Sequence, residues 1–268
     1  MQLTEPAPAK VNLALHVRGK LPDGRHRIET VFAFCTDGDV VAAEPAKELT
    51  LQAVGPFAGE LGNTGDENLV MRAARALQGA AGVGEGASLV LTKKLPVAAG
   101  VGGGSADAAA ALRLLTRMWG VDPSHAAAVA PTIGADVPAC LLSMTSRGDG
   151  AGDELQLLDA GVSDMPILLV NPRVQLVTRD VFAAWNGEDK GPLGDWRAGR
   201  NDLEAAAVEQ VPLVGTVLAW LGLQSGADLV RMSGSGATCF ALFESEEARD
   251  RAEVAVPREW WRLASFLR

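Results

Sequence analysis

Mixed α and β structure is what this sequence predicts, on three observations. Lys10 to Val17 alternates apolar and polar residues, as a strand with one wet face does, and short strand-like runs follow as far as Val54. Helical spacing takes over from Asn68, most clearly in the alanine-rich run that ends near Leu115. The chain has 268 residues, 48% of them apolar, enough for one large or two ordinary domains with full cores.

In chain order, the alternation over Lys10–Val17 puts Lys10, Asn12 and His16 on one face. From spacing alone Lys10 is an ordinary solvated lysine. Leu21-Pro22-Asp23-Gly24 is a turn, and Arg25-His26-Arg27 leads from it into a strand over Ile28 to Phe34. A lone histidine in such a place, His26, is more often a turn or core residue than a ligand. Val40 to Ala43 and Leu49 to Val54 read as further strands of an antiparallel meander. Asn68 to Leu77 is a helix, Ala87 to Thr92 a strand, and the helix after the glycine cluster carries a stripe of Leu112, Leu115 and Met118. Its small face, Ala108 to Ala111, suits close packing.

Pro123 to Ala130 is a short helix, and Gly134-Ala135-Asp136-Val137-Pro138 begins another, with Asp136 placed to cap it. Val137 to Leu142 is almost wholly apolar. The Asp136 carboxylate therefore stands at the edge of a buried run, where a general base can be tuned. The glycine-rich acidic stretch Ser146 to Asp159 marks a boundary, giving expected domains at 1–155 and 156–268. Beyond it come a buried strand over Ile167–Val170 and a helix capped by Thr178 that carries Phe182 and Trp185. Asn186 to Arg200, with four glycines, reads as a mobile loop or lid. Arg200-Asn201-Asp202-Leu203-Glu204 starts a helix, Pro212 to Gly222 is helical, and two strands flank Ser233-Gly234-Ser235-Gly236. Ser245 caps a last helix, and a closing strand holds Trp260 and Trp261.

Charge and cysteine usage narrow the classes. A net charge of −9 argues against a nucleic-acid surface, which wants a basic face. Three scattered cysteines, Cys35, Cys140 and Cys239, have no metal-ligand spacing and read as reduced core residues. The N-terminal segment has no apolar core of the signal-peptide kind and no run reaches membrane-spanning length, so a cytoplasmic protein without membrane attachment is expected.

The chemistry-bearing stretch is Pro96 to Leu115. A glycine cluster between a strand and a helix start leaves unpaired N–H groups and the positive end of the helix facing one point, an anion site. No lysine follows the glycines, so the P-loop pattern is absent, and Ser105 stands where a dinucleotide fingerprint wants glycine or alanine. Ser105 is read either as the helix cap or as a hydroxyl for a phosphate or its metal. Ser233-Gly234-Ser235-Gly236 packs further N–H and hydroxyl donors into one small turn, a second anion-binding nest. Two such nests point to a phosphate-handling protein.

Several of these stretches together resemble one family. Pro96-Val97-Ala98-Ala99-Gly100-Val101-Gly102-Gly103-Gly104-Ser105-Ala106 is similar to the phosphate loop of the GHMP small-molecule kinases, and Met232 to Ala237 to their C-terminal glycine motif. Pro8 to Leu13, Asp23 to His26 with Glu29 to Phe32, Gly134 to Pro138 and Asn201 to Glu204 resemble a branch that acts on a cytidine-diphosphate-linked sugar alcohol. The resemblance implies an α+β fold in two domains, an N-terminal domain and a C-terminal α/β sandwich-like domain, with the active site in the cleft between them. It implies ATP with Mg²⁺, a nucleotide site from Pro96 to Ala106, Asp136 as general base and Lys10 as its cationic partner. By the same match Asn12, Arg25, His26, Thr178, Phe182, Gly234, Ser235 and Gly236 meet the substrate, Phe182 stacking on the cytosine.

The chain departs from that pattern twice. Arg25 stands where relatives carry tyrosine, and the chain has no tyrosine at all; the Arg25 guanidinium is the stand-in expected for stacking. Ala106 stands where many relatives have a second serine, which leaves the metal ligand open. Two other readings stay open at this point: another GHMP kinase of the homoserine or mevalonate type, and a non-catalytic nucleotide-binding sensor of the same fold.

Overall fold

A computed structural model describes residues 2–62, 64–97 and 99–268. Ala98, expected to meet a nucleotide, lies outside the described residues. Two compact units interleave along the chain. One gathers Met1–Ala9, Asp37–Val97 and Gly102–Ser143; the other gathers Lys10–Thr36, Ala98–Val101 and Met144–Arg268. The expected division at 155/156 is a single cut. The observed one differs because the first two strands and the glycine loop each contribute to both units.

Strand β1 (Leu3–Lys20) pairs with β2 (His26–Ala46) across the turn at Leu21–Gly24, where the Gly24 N–H donates to Leu21 O at 3.0 Å. The separate strands expected before and after Thr36-Asp37-Gly38-Asp39 are one strand. A Cβ at Gly38 would lie 2.1 Å from Ala7 O, so glycine here serves close approach to β1, not a turn.

In the first unit, β3 (Thr50–Val54), helix α1 (Leu69–Ala81) and β4 (Gly86–Thr92) follow. β4 runs antiparallel to the end of β2 (Val40 opposite Thr92) but parallel to β3 (Thr50 opposite Ser88). The antiparallel meander expected for these strands is thus corrected: α1 carries the chain back, and a helical crossover returns it in the same direction. Asn68 Oδ1 caps α1 by accepting the Val70 N–H at 2.9 Å, and Gly82 ends it at φ +65°. Helix α2 (Gly103–Trp119) buries Ala106 and Ala108 to Ala111, the small face that lets it pack closely against α1 and α4 (Val137–Leu142). Between them α3 (Pro123–Ile133) packs on α1.

In the second unit, β5 (Ser146–Asp149) and β6 (Glu154–Leu157) form a hairpin on the start of β2, with Thr30 opposite Gly148. The stretch read as a boundary is therefore paired sheet; its glycines turn the hairpin, Gly150 at φ +69° and Gly152 at +92°. Next come β7 (Pro166–Asn171), α5 (Thr178–Ala183), α6 (Glu204–Gln210), α7 (Leu213–Gly222), β8 (Ala227–Met232), β9 (Cys239–Phe243), α8 (Glu246–Ala255) and β10 (Trp261–Phe266). A four-stranded antiparallel sheet in the order β10-β7-β9-β8 is covered by α7 and α8, burying Leu168, Val170, Val217, Leu221, Ala241 and Phe243. Ser245 caps α8 as expected, accepting the Ala248 N–H at 3.3 Å. All three cysteines are buried. Among the described residues no helix is long and apolar enough to cross a membrane.

Candidate active site

In the second unit β1 lies beside both glycine stretches. The Lys10 N–H donates to Val101 O at 2.9 Å, and the Asn12 N–H to Ser233 Oγ at 3.1 Å. Ser233 Oγ in turn donates to Gly100 O at 3.2 Å. Gly100, at φ +76°, comes so near the second stretch that a Cβ would stand 2.3 Å from Gly236 O. Asn201 Nδ2 donates to the carbonyls of Met232 (2.7 Å) and Gly234 (2.8 Å), while the Thr238 N–H reaches Ala99 O at 3.2 Å. Thr178 Oγ1 and Ser235 Oγ share a bond of 3.0 Å. Pinning these carbonyls fixes the peptide planes, and with them the directions of the loop N–H groups that an anion would meet.

Lys10 and Asn12 share a face, as the alternation predicts, and each is only 3% exposed. Lys10 Nζ donates to Asn12 Oδ1 at 2.8 Å and lies 5.1 Å from the centre of the Phe32 ring. A buried ammonium held this way is a fixed charge, unlike the solvated lysine that spacing alone suggests. His16, third on that face, is taken up by backbone. Its Nε2 accepts the Arg200 N–H at 3.3 Å and its Nδ1 lies 3.1 Å from Gly191 O, which requires the neutral Nδ1–H tautomer. Burial lowers its pKa, in agreement.

His26 sits between two rings. Phe182 lies 5.0 Å away, tilted, and Trp185 5.8 Å away, edge-on. Burial, followed by the charge of Lys20, lowers the His26 pKa. Arg25 is placed differently from its expected stacking role: its Nε donates to Asp23 Oδ2 at 2.7 Å and its Nη1 to Asp153 Oδ2 at 3.4 Å. Thr178 is the first residue of α5, with Val177 in the cap position, so its hydroxyl serves Ser235 instead of capping.

The first unit holds the rest of the first glycine stretch. Gly102, at φ +63°, is the N-cap of α2, and the first helical bond runs from Ala106 N to Gly102 O at 2.8 Å. Ser105 is inside the first turn and is not the cap. The N–H groups of Gly103, Gly104 and Ser105 precede that bond, at the positive end of a 17-residue helix. Asp136 occupies the N-cap position of α4 without making a side-chain capping bond, and it is half-buried. Beneath the start of α2, Lys93 Nζ donates to Asp39 Oδ2 and, at 3.0 Å, to Asp107 Oδ2. These three side chains are at most 2% exposed. Two carboxylates against one ammonium leave an excess negative charge in a dry place. Burial pushes Asp107 up to about 8, Lys93 opposing and Asp39 adding to the rise. A proton on Asp107 makes the cluster neutral.

Comparison with known proteins decides the family. The model of the GHMP kinases N-terminal domain matches residues 68–144, and that of the GHMP kinases C-terminal domain matches 187–263. A protein of Rhizorhabdus wittichii named 4-diphosphocytidyl-2-C-methyl-D-erythritol kinase is 54% identical over the whole chain and 96% of its own length. One of the same name from Novosphingobium aromaticivorans is 48% identical over the whole chain and 94% of its own. The crystal structure of a 4-(cytidine 5'-diphospho)-2C-methyl-D-erythritol kinase superposes with a TM-score of 0.85 at 34% identity, covering 100% of this chain and 99% of that one. The chain belongs to the 4-diphosphocytidyl-2-C-methyl-D-erythritol kinase family of GHMP kinases. It is a small-molecule kinase.

Several residues that hold these loops in this GHMP kinase escape sequence reasoning. Ser233 reads as part of a donor nest, yet it is a clamp between β1 and Gly100. Asn201 reads as a helix cap and instead holds the second glycine stretch, its Oδ1 accepting the local Leu203 N–H at 3.0 Å. Residues 186–200, expected to be a mobile loop or lid, form an anchored strap. Glu29 Oε2 accepts the Leu193 N–H at 2.6 Å and Arg147 Nη1 donates to Leu193 O at 2.8 Å. Arg231, half-buried and lowered in pKa by that partial burial, donates to Trp196 O (2.7 Å), Arg197 O (2.6 Å) and Leu13 O (2.7 Å). The only signal in the strap itself is apolar Leu193 and Trp196, both buried.

Proposed function

We propose that this kinase transfers the γ-phosphoryl group of ATP to the 2-hydroxyl of 4-(cytidine 5'-diphospho)-2-C-methyl-D-erythritol, a step of non-mevalonate isoprenoid precursor synthesis. The observation that carries the reaction type is that one unit bonds the Lys10 strand to Gly100–Val101 and to the 233–236 turn. That arrangement sets a buried cation beside two donor-rich loops. The substrate is taken from the relatives, full-length and at 48–54% identity, that bear this name.

In this reading the loop N–H groups from Gly100 to Ser105 hold the phosphates, and the substrate hydroxyl oxygen attacks the γ-phosphorus. The bond from that phosphorus to the β-bridging oxygen breaks, ADP departs, and the hydroxyl proton passes to the Asp136 carboxylate as general base. Lys10 offsets negative charge on the reacting oxygens. His26 with Phe182 receives the cytosine, and Asn12, Thr178 and the 234–236 turn bind the remainder of the substrate. Among the described residues no group of three or more His, Cys, Asp or Glu is arranged to hold a metal ion. Mg²⁺ enters the proposal only as the ion that accompanies the ATP phosphates.

Asp136→Asn and Lys10→Ala test the roles. Each is expected to lower turnover by at least about a hundredfold, within the range general acid–base groups contribute, while calorimetry still registers substrate binding. Substantial turnover in both variants refutes the assignment.

A further inference from the structure

We infer that Thr30 is a positioning residue that sets the direction of the Lys10 ammonium by fixing which way the Asn12 amide faces. The inference rests on the reading of Lys10 as a catalytic group. Thr30 lies on β2, fully buried, and its hydroxyl has one proton to give. That proton goes to Ala14 O, at 2.6 Å. Toward Asn12 the hydroxyl can therefore only accept, and it does so from Nδ2 at 2.8 Å. The other end of the same amide, Oδ1, is left facing Lys10 Nζ at 2.8 Å.

The two ends of an asparagine amide are equal in size, so only its partners decide which is which. Were Asn12 turned over, its Nδ2 donors would face the ammonium donors of Lys10. Its oxygen would face a hydroxyl whose proton is already committed. Space does not decide the matter: Gly234 carries no side chain, and a Cβ there would stand 3.1 Å from Asn12 Oδ1. The strand backbone at Asn12 is held as well, through its N–H to Ser233. Without the Thr30 hydroxyl the amide loses the acceptor that specifies its orientation. The ammonium then loses the Asn12 oxygen aligned on it.

The test compares Thr30→Val, Thr30→Ser and Lys10→Ala in the full chain, measuring kcat and both Michaelis constants. Thr30→Val keeps the shape but removes the hydroxyl. Its kcat is expected to fall about tenfold to hundredfold, the cost of a misplaced positioning group, with KM for ATP within about threefold. Thr30→Ser keeps donor and acceptor and is expected to restore kcat to within about threefold of wild type. Should Thr30→Val not fold, Thr30→Cys, similar in size and only a weak donor, takes its place with the same expected loss. A wild-type kcat in Thr30→Val, or a Thr30→Ser variant as slow as Thr30→Val, overturns the inference. Lys10→Ala separates the two levels: full turnover there sinks the reading of Lys10 itself. A dead Lys10→Ala beside an unaffected Thr30→Val sinks only the role of Thr30.

Discussion

Replacing Lys93 with methionine removes the single cation of a dry cluster and changes little else in length. In the structure Lys93 Nζ holds Asp39 and Asp107, and Asp39 Oδ1 also accepts the Leu95 N–H at 2.8 Å. Burial alone would lower the pKa of Lys93, but the charges of Asp107 and Asp39 and the bonds to them outweigh it and raise the pKa. Lys93→Met leaves two carboxyls facing each other without a counter-charge. Breaking a buried pair in this way costs about 3–5 kcal/mol, a large share of a stability of roughly 5–15 kcal/mol. At about 2–4 °C per kcal/mol for a chain of this size, the melting temperature is expected to drop by about 6–20 °C.

The loss should depend on pH, with a definite sign. Asp107, raised to about 8 in the folded chain from 3.8, binds its proton more tightly folded than unfolded. The stability it contributes is present below about pH 4 and is lost as pH rises through about 8. Without Lys93 the pair is neutral only with a proton on both carboxyls, one more than in wild type, so the deficit of the variant should be larger at pH 8 than at pH 5. Melting curves by circular dichroism at both values test this. A drop under about 2 °C, or the same drop at both pH values, refutes the reasoning. Asp107→Asn, an uncharged mimic of the protonated acid, should melt near wild type at pH 5 and above it at pH 8, flattening the pH dependence.

Four other outcomes follow from the structure. Gly100→Ala puts a Cβ 2.3 Å from Gly236 O at a backbone angle that favours glycine, so KM for ATP should rise at least about tenfold; an unchanged KM would show that the two glycine stretches need not touch. Arg231→Met removes the guanidinium from the carbonyls of Trp196 and Arg197, and limited proteolysis should then cut within residues 186–200 about tenfold faster than in wild type. Phe182→Ala removes a stacking face worth ~1–3 kcal/mol, so KM for the cytidyl substrate should rise about tenfold to hundredfold with kcat little changed. In the same assay Arg25→Tyr is expected to leave KM nearly unchanged if the Asp23 and Asp153 pairs, not stacking, account for Arg25.

What the sequence revealed was chiefly local. Period-2 alternation put Lys10 and Asn12 on one face, and glycine clusters between strand and helix signals located both donor-rich loops. Capping residues such as Asn68 and Ser245 were legible because their partners lie two or three positions away. Long-range partnership was not. Asp39, Lys93 and Asp107 are scattered along the chain, and no local pattern joins them. The parallel pairing of β3 with β4 depends on where α1 returns the chain, which strand patterns do not state. The composition of 186–200 says loop, but its order comes from Glu29, Arg147 and Arg231, which lie on other strands. Asp136 shows the opposite case: the proline and the apolar run after it gave its position at the start of α4, while its proposed chemistry came from the family resemblance.

The most direct test is ADP release, followed with a coupled enzyme, from the purified chain given ATP and one acceptor at a time. The proposal predicts rapid turnover with 4-(cytidine 5'-diphospho)-2-C-methyl-D-erythritol and background rates with homoserine and mevalonate. Turnover of either smaller alcohol with none on the cytidyl compound would contradict it.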